Sequence, residues 1–427
     1  MPVRLKKRRV LGKILTLHFT ASSELFVSSF SQSTSPSGTS TDTPTGSSLR
    51  ANLAMGVGSF AIGTGEFVIM GLLPEVAHDL GVTIPQAGHV ISAYALGVVI
   101  GAPLLAVLAA GWPRRRLLIA LMLAFGLGNF ASAAAPGYVS LNLLRFLAGL
   151  PHGTYFGVAA LVAASMASPG RRGQAVGQVM LGLTVATLIG VPIAAWLGQV
   201  LGWRAAFVFV GAIAILSAVL ILHELPEIPA EAGASPLREL GALTRPQVWF
   251  TLAIGAIGFG GLFSVFSYVK PTMMTLAGMP LEQVPIVLAL FGVGMVLGNI
   301  VGPRFADRAL MPTVAGLLVW GAVVLGAYSF TAHHVWLGSI NVLLVGTLVA
   351  LGPVLQIRLM DVAGDAQTLA AALNHSAFNA ANALGAWLGG VAVTAGLGWS
   401  ATGWVGALLA LAGLAVFAMS IKRPRAA

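Results

Sequence analysis

After residue 50 the chain is built almost entirely of apolar stretches, each about as long as a helix must be to cross a hydrocarbon core roughly 30 Å thick. Gly, Pro or charged breaks divide them into twelve windows: Asn52–Leu73, Ala87–Ala110, Leu117–Ala135, Tyr138–Ser165, Gln174–Gly198, Trp203–Leu222, Val248–Val269, Val284–Ala306, Thr313–Thr331, Val335–Ile357, Thr368–Gly396 and Ser400–Ser420. No soluble fold accommodates such a series. The chain is 57% hydrophobic and 8% charged, with a mean hydropathy of +0.90, against about 25% charged residues in an ordinary soluble domain. The expected fold is an all-α polytopic membrane protein with twelve transmembrane helices.

Residues 1–50 differ from everything that follows. A basic start from Arg4 to Lys13 leads into a Ser/Thr-rich run from Ser28 to Ser48, a composition that cannot bury a core and reads as a disordered cytoplasmic extension. A cleaved signal peptide is the rival reading, because Val10–Phe19 follows a charged start, although Lys13 interrupts it. The one long polar connection within the apolar region, residues 223–247, carries Glu224, Glu227, Glu231, Arg238, Glu239 and Arg245. It separates a six-helix half at 51–222 from another at 248–421, with 422–427 as a short tail.

The net charge of +10 would suit a nucleic-acid binder, but its placement speaks for membrane topology. If the first window starts in the cytoplasm, all 23 basic residues except Arg145, Arg204 and Lys270 fall in inner loops and tails. Both termini are therefore expected inside, with no nucleic acid as partner. The absence of Cys excludes disulfides, thiolate metal sites and cysteine nucleophiles. No metal or other cofactor is expected.

Sliding the chain by 197 positions brings Pro74 onto Pro271, Gly81 onto Gly278, Gly97 onto Gly294 and Gly101 onto Gly298. These matches occupy the same place in each half, around the first external loop and the second helix. Two pseudo-symmetric bundles in one orientation are the architecture of many secondary transporters, which rock around a site near the midplane.

Ionisable groups inside a membrane are costly and default to function. Glu66, in Gly63-Thr64-Gly65-Glu66-Phe67, lies roughly 12 Å below the window's end at Pro74. Burial favours the neutral form of a carboxyl group in general, which would let this one load and release protons; the plainer reading is a carboxyl held in a permanent ion pair. Arg145, seven residues into a helix that runs the opposite way, shares that depth. It would hold Glu66 ionised until something separates them, or simply bond backbone carbonyls. Lys270 stands at a helix end and can snorkel.

His375, Asn379 and Asn382 recur at i, i+4, i+7 and share a helix face, where they would contact a polar substrate or tie helices together. Phe67, Tyr94, Phe146, Tyr155, Phe263 and Phe266 would suit an amphipathic, partly aromatic small molecule, with ordinary packing the expected role of most of them. No lysine follows a phosphate-binding glycine loop, and neither a G-x-S-x-G elbow nor an H-E-x-x-H helix occurs. The chain is thus neither an ATPase nor a hydrolase of these types, and an ion gradient remains as its energy source.

Two segments, Gly63–Pro74 and Phe378–Gly390, resemble signatures of the major facilitator superfamily, specifically of its drug:proton antiporters of the arabinose-efflux and chloramphenicol-resistance type. The resemblance extends over about Ala51 to Ser420 and implies the major facilitator fold. It also implies that Arg145 with Gly149 forms the helix-four motif associated with proton transfer, and that Gly182, Gly190 and Pro192 form the helix-five antiporter motif. Here Val191 separates glycine from proline, and Ala194-Ala195 replaces the usual paired glycines. The loop between helices two and three keeps Arg114–Arg116 but has Ala109-Ala110 where an Asp is common, whereas Asp307-Arg308 is retained in the second half. These loop charges would latch the inner helix ends, or, for the arginines, serve as the positive-inside signal alone.

The expected function is proton-coupled efflux of a small amphipathic molecule by alternating access, with Glu66 as carrier and Arg145 as tuner. A monomer in a bacterial inner membrane, its partners being substrate, protons and lipid, is the expected state. An importer or facilitator of a sugar or nucleoside is the alternative within transporters, and a non-transporting membrane sensor is the alternative outside them.

Overall fold

The computed structural model describes residues 45–422 apart from 83, 231, 232 and 234; the expected extension over 1–44 and the tail from 423 lie outside the described residues. Twelve helices in the described region are long and apolar enough to span a membrane: α1 (Ser48–Gly71), α2 (Gln86–Leu108), α3 (Arg114–Ala133), α4 (Tyr138–Ser165), α5 (Arg172–Leu201), α6 (Trp203–Glu224), α7 (Pro246–Phe266), α8 (Val284–Arg308), α9 (Leu310–Thr331), α10 (Val335–Val362), α11 (Gln367–Leu397) and α12 (Ala401–Lys422). Each expected window overlaps one of them, with boundaries that differ by a few residues. The helix that carries α1 begins at Thr45, so residues 45–50, expected as the end of the disordered extension, are its first turns. That stretch holds no proline, but Gly46 and the polar residues beside it masked the continuity.

Helices α1–α6 pack around Met55, Met122, Phe125, Tyr155 and Val210, and α7–α12 around Leu318, Leu325, Tyr328, Leu355 and Met360. Apolar burial does not drive association between helices already dissolved in lipid, so close packing through small residues must. The repeat shows how. A Cβ on Gly97 or Gly101 of α2 would overlap the carbonyl oxygens of Phe146 and Leu150 of α4, and one on Gly294 or Gly298 of α8 would overlap those of Leu343 and Thr347 of α10. Both partners of each crossing keep the 197-residue offset. The repeat is therefore a repeated helix crossing.

The matched prolines and glycines mark a second shared device. Pro74 and Pro271 lie in the first turns of short helices, Leu73–Leu80 and Val269–Leu276, that follow α1 and α7. Gly81 and Gly278 close these helices with φ of 64° and 65°, the left-handed conformation in which a Cβ is strained.

One end of the bundle carries the loops rich in arginine and is called here the basic end. The connection expected at 223–247 lies there, with a short helix at Pro236–Leu240 whose Ser235 hydroxyl caps the Arg238 N–H at 3.3 Å. Polar contacts at this end join the two halves. Asp307, at the end of α8, accepts the N–H groups of Gly173 (2.5 Å) and Gln174 (3.1 Å) in the first turn of α5. Arg172 pairs with Asp361 at 3.1 Å, and Arg114 donates to the Thr368 hydroxyl at 3.0 Å. Above them α4 meets α11 closely, since a Cβ on Gly157 would lie 2.6 Å from the Ala372 nitrogen.

Candidate functional site

Above this seal, between the two halves, lies a cavity of about 100 Å³. Glu66 and Phe67 of α1, and Met180, Leu183 and Thr187 of α5, line it from one half; Phe259, Phe263 and Phe266 of α7, Asn299 of α8 and Phe378 of α11 line it from the other. The rings form pairs: Phe259 meets Phe263 edge-on at 5.6 Å and lies tilted against Phe378 at 4.8 Å, and Phe266 stacks on Phe291 at 4.1 Å. Offset and edge-on pairs hold aromatic walls in fixed orientations. Such a wall receives flat apolar groups without rearranging.

Glu66 is the one carboxylate among the lining residues and is half-buried at the cavity edge. Arg145 of α4 does reach its depth but not its side chain. The guanidinium is fully buried, donates from Nη2 to the Gly65 carbonyl at 2.8 Å, and points Nη1 at the Asn129 carboxamide oxygen at 3.5 Å. It lies 4.3 Å from the centroid of the Tyr94 ring and 5.1 Å from that of Phe207, where the ring faces stabilise a cation. The guanidinium thus bonds a backbone carbonyl next to Glu66 and not the Glu66 carboxyl group. Gly65 itself is held close to α6, where a Cβ would press Val210 at 2.9 Å.

The face expected from the i, i+4, i+7 spacing forms: His375, Asn379 and Asn382 all line the cavity. His375 stacks on Phe156 at 4.2 Å and its Nε2 has no partner. Asn379 donates to the His375 carbonyl one turn back, at 2.9 Å. Two expected lining residues are corrected. Tyr155 is fully buried and its hydroxyl donates to the Met55 carbonyl at 2.6 Å, so it ties α4 to α1. Tyr94 is buried beneath Arg145, with its hydroxyl 3.0 Å from His152 Nδ1. Both face helix seams, because an aromatic residue type does not reveal how its helix is turned. Phe146 likewise stays out of the lining.

His152, which the sequence reading does not single out, lines the cavity, and its ring centre lies 5.2 Å from that of His375 across the junction of the halves. Its signal was available, as an imidazole inside the Tyr138–Ser165 window. The helix-five residues have a packing role. Gly182 lets the Gly56 carbonyl of α1 approach, and Gly190 lets Phe60 and Thr64 do so. Just ahead of Pro192, which has no N–H to give, α5 widens into a π turn over Ala186–Gly190. Asp307 caps α5 as described, while Arg308 points away from it to the surface.

The sequence model of the Major Facilitator Superfamily matches residues 55–352, well over half of the chain. The chain belongs to the Major Facilitator Superfamily. Within that family, the inner membrane transport protein YdhP of Escherichia coli strain K12 is 41% identical over 374 residues, which are 87% of this chain and 96% of that one. The chloramphenicol resistance protein of Streptomyces lividans is 35% identical over 334 residues, 76% of this chain and 84% of that one. Among solved structures, the proton:xylose symporter XylE bound to 6-bromo-6-deoxy-D-glucose matches with a TM-score of 0.70 and 16% identity, over 87% of this chain and 95% of that one, a likeness of fold alone. This superfamily member is a multi-pass membrane transport protein and not an enzyme.

Proposed function

We propose that this transporter exports a small, amphipathic, partly aromatic molecule in exchange for protons, with Glu66 as the proton carrier and Arg145 as the group that sets its state. The observation that carries the reading is the isolation of Glu66. It is the one carboxylate lining an otherwise aromatic and amide-bearing cavity, and Arg145 is hydrogen-bonded to the residue beside it. Arg145 acts through the α1 backbone, so it tunes Glu66 by field and position. The export direction is supported by the name of one relative, the chloramphenicol resistance protein, because a transporter lowers the internal level of a toxic compound by moving it outward. By the positive-inside rule the basic end is cytoplasmic, which makes the sealed state described above the outward-facing one. The transporter works as a monomer in this reading.

A growth-resistance screen of an overproducing strain selects the compound, and everted vesicles then measure its movement. Collapse of the proton gradient is expected to stop accumulation, and Glu66→Gln is expected to abolish coupled movement while the protein still folds and inserts. Accumulation that survives both would refute the coupling. Accumulation into intact cells rather than everted vesicles would refute the direction.

A further inference from the structure

A second, larger cavity of about 510 Å³ opens on the outer surface of the second half, facing lipid. Its walls are the outward faces of α8, with Leu297, Val301 and Phe305, and of α9, with Leu317 and Trp320; Ala350 of α10 contributes to its floor. Phe305 is 54% exposed and Val301 46% exposed, so the groove is open along its length. Gly316 of α9 leaves open space where a side chain would stand. From Leu297 to Arg308 helix α8 rises about 16 Å at 1.5 Å per residue, about one leaflet of a hydrocarbon core roughly 30 Å thick. The deep end holds no free donor, because the Trp320 indole N–H is committed to the Thr347 hydroxyl at 3.0 Å.

The other end is cationic. Arg308 lines the mouth at the basic end, and Arg304 stands one turn before it on the same helix, bonded to the carbonyl of Ile300. Among the described residues no carboxylate lies within ion-pair distance of either. Arg115, Arg172 and Arg238 at the same end do have acidic partners, in Glu227, Asp361 and Asp365. An apolar slot one leaflet deep, ending in the Arg308 guanidinium with the cationic Arg304 one turn away on the same helix, complements one ligand: an acyl chain below a phosphodiester. We propose that the groove between α8 and α9 is a binding site for a single anionic phospholipid of the leaflet at the basic end.

Placement gives the site a consequence. The opposite face of α8 presents Phe291, Met295 and Asn299 to the central cavity, and its end presents Asp307 to α5. A lipid seated in the groove braces the helix that lines the substrate cavity and holds the seal. The site rests on the membrane fold and not on proton coupling, so it stands or falls separately from the proposed function.

The test is native mass spectrometry of the full chain, purified and exchanged into an equimolar mixture of phosphatidylglycerol and phosphatidylethanolamine with matched chains. The chain is expected to retain one phosphatidylglycerol in preference to phosphatidylethanolamine. Arg304→Gln and Arg308→Gln are each expected to reduce that preference about fivefold. Gly316→Leu fills open space, and is expected to exclude both lipids from the site without lowering the melting temperature. Equal retention of the two lipids, or phosphatidylglycerol retention that survives all three substitutions, would overturn the proposal. So would a dimer that Gly316→Leu abolishes, which would assign the groove to a second copy of the chain.

Discussion

Replacing Asp307 with Asn is the sharpest test of how the basic end is held shut. The carboxylate accepts two backbone N–H groups, from Gly173 at 2.5 Å and from Gln174 at 3.1 Å, at the positive end of the α5 dipole. Hydrogen bonds to charged groups contribute about 1.5–3 kcal/mol each. Asparagine keeps one neutral acceptor and loses the charge, and Asp307 is partly exposed, so the low end applies, a net loss of about 1.5 kcal/mol. These bonds cross between the halves, so separating α5 from α8 at the basic end must break them. Their loss therefore favours opening, by a little more than tenfold in population at 1.4 kcal/mol per tenfold. The chain has no Cys, so spin labels on cysteines at exposed Ser168 and Ala309 report one distance across the seal. Asp307→Asn is expected to raise the longer-distance population about tenfold, consistent with a coupling of this size. An unchanged distribution in a folded variant would refute the assignment of Asp307 as a brace between halves.

At the opposite end, Asp79 accepts from Arg204 at 2.5 Å and from the Trp203 indole at 3.0 Å, and these contacts, Arg204 first, hold its carboxyl below the usual range. A depressed folded value stabilises above the ordinary carboxylate range near 3.9 and is lost as pH falls through the depressed value. The melting-temperature gap between the native chain and Asp79→Asn should therefore be small but constant from pH 8 to about 5 and shrink below about 4; a gap that widens on acidification would contradict the pairing. Gly97→Ala and Gly294→Ala should each destabilise the protein in detergent by about 1–3 kcal/mol, because each adds a Cβ against a crossing carbonyl. Gly316→Ala, with open space around it, should be neutral or stabilising; equal melting temperatures for all three would refute the repeated crossing.

Helix number and the repeat were legible because both follow from composition and from the positions where only glycine fits. The 197-residue offset predicted a resemblance between halves, and the structure gives it content as the α2–α4 and α8–α10 crossings. Phe67, Phe263, His375, Asn379 and Asn382 were legible as cavity residues because polar or aromatic side chains deep in a span need a reason to be there. Tyr94 and Tyr155 met the same criterion and proved to be seam residues, since rotation about the helix axis is set by neighbours far away in the chain. Phe259, Phe291 and Met180 could not be distinguished in sequence from the ordinary packing residues around them. The capping of α5 by Asp307 was visible only as a charge near a helix end; its partner lies 134 residues away.

The halves share a scaffold but furnish the cavity differently, and the offset makes the contrast residue by residue. Glu66 of α1 and Phe263 of α7 are 197 positions apart, and both line the cavity. One half thus presents a carboxylate where the other presents a ring. The polar side is also not confined to one half. From Gly65, contacts run through Arg145 to Tyr94, on to His152, and across the junction to His375. His152 and His375 sit where α4 meets α11 just above the basic-end seal, so a relative rotation of the halves must separate these two rings. In the proposed coupling, a change at Glu66 that reaches Arg145 through the Gly65 backbone would be felt, through two further contacts, at that seam. That continuity gives a symmetric scaffold a physical route for linking an asymmetric charge in one half to the opening of both.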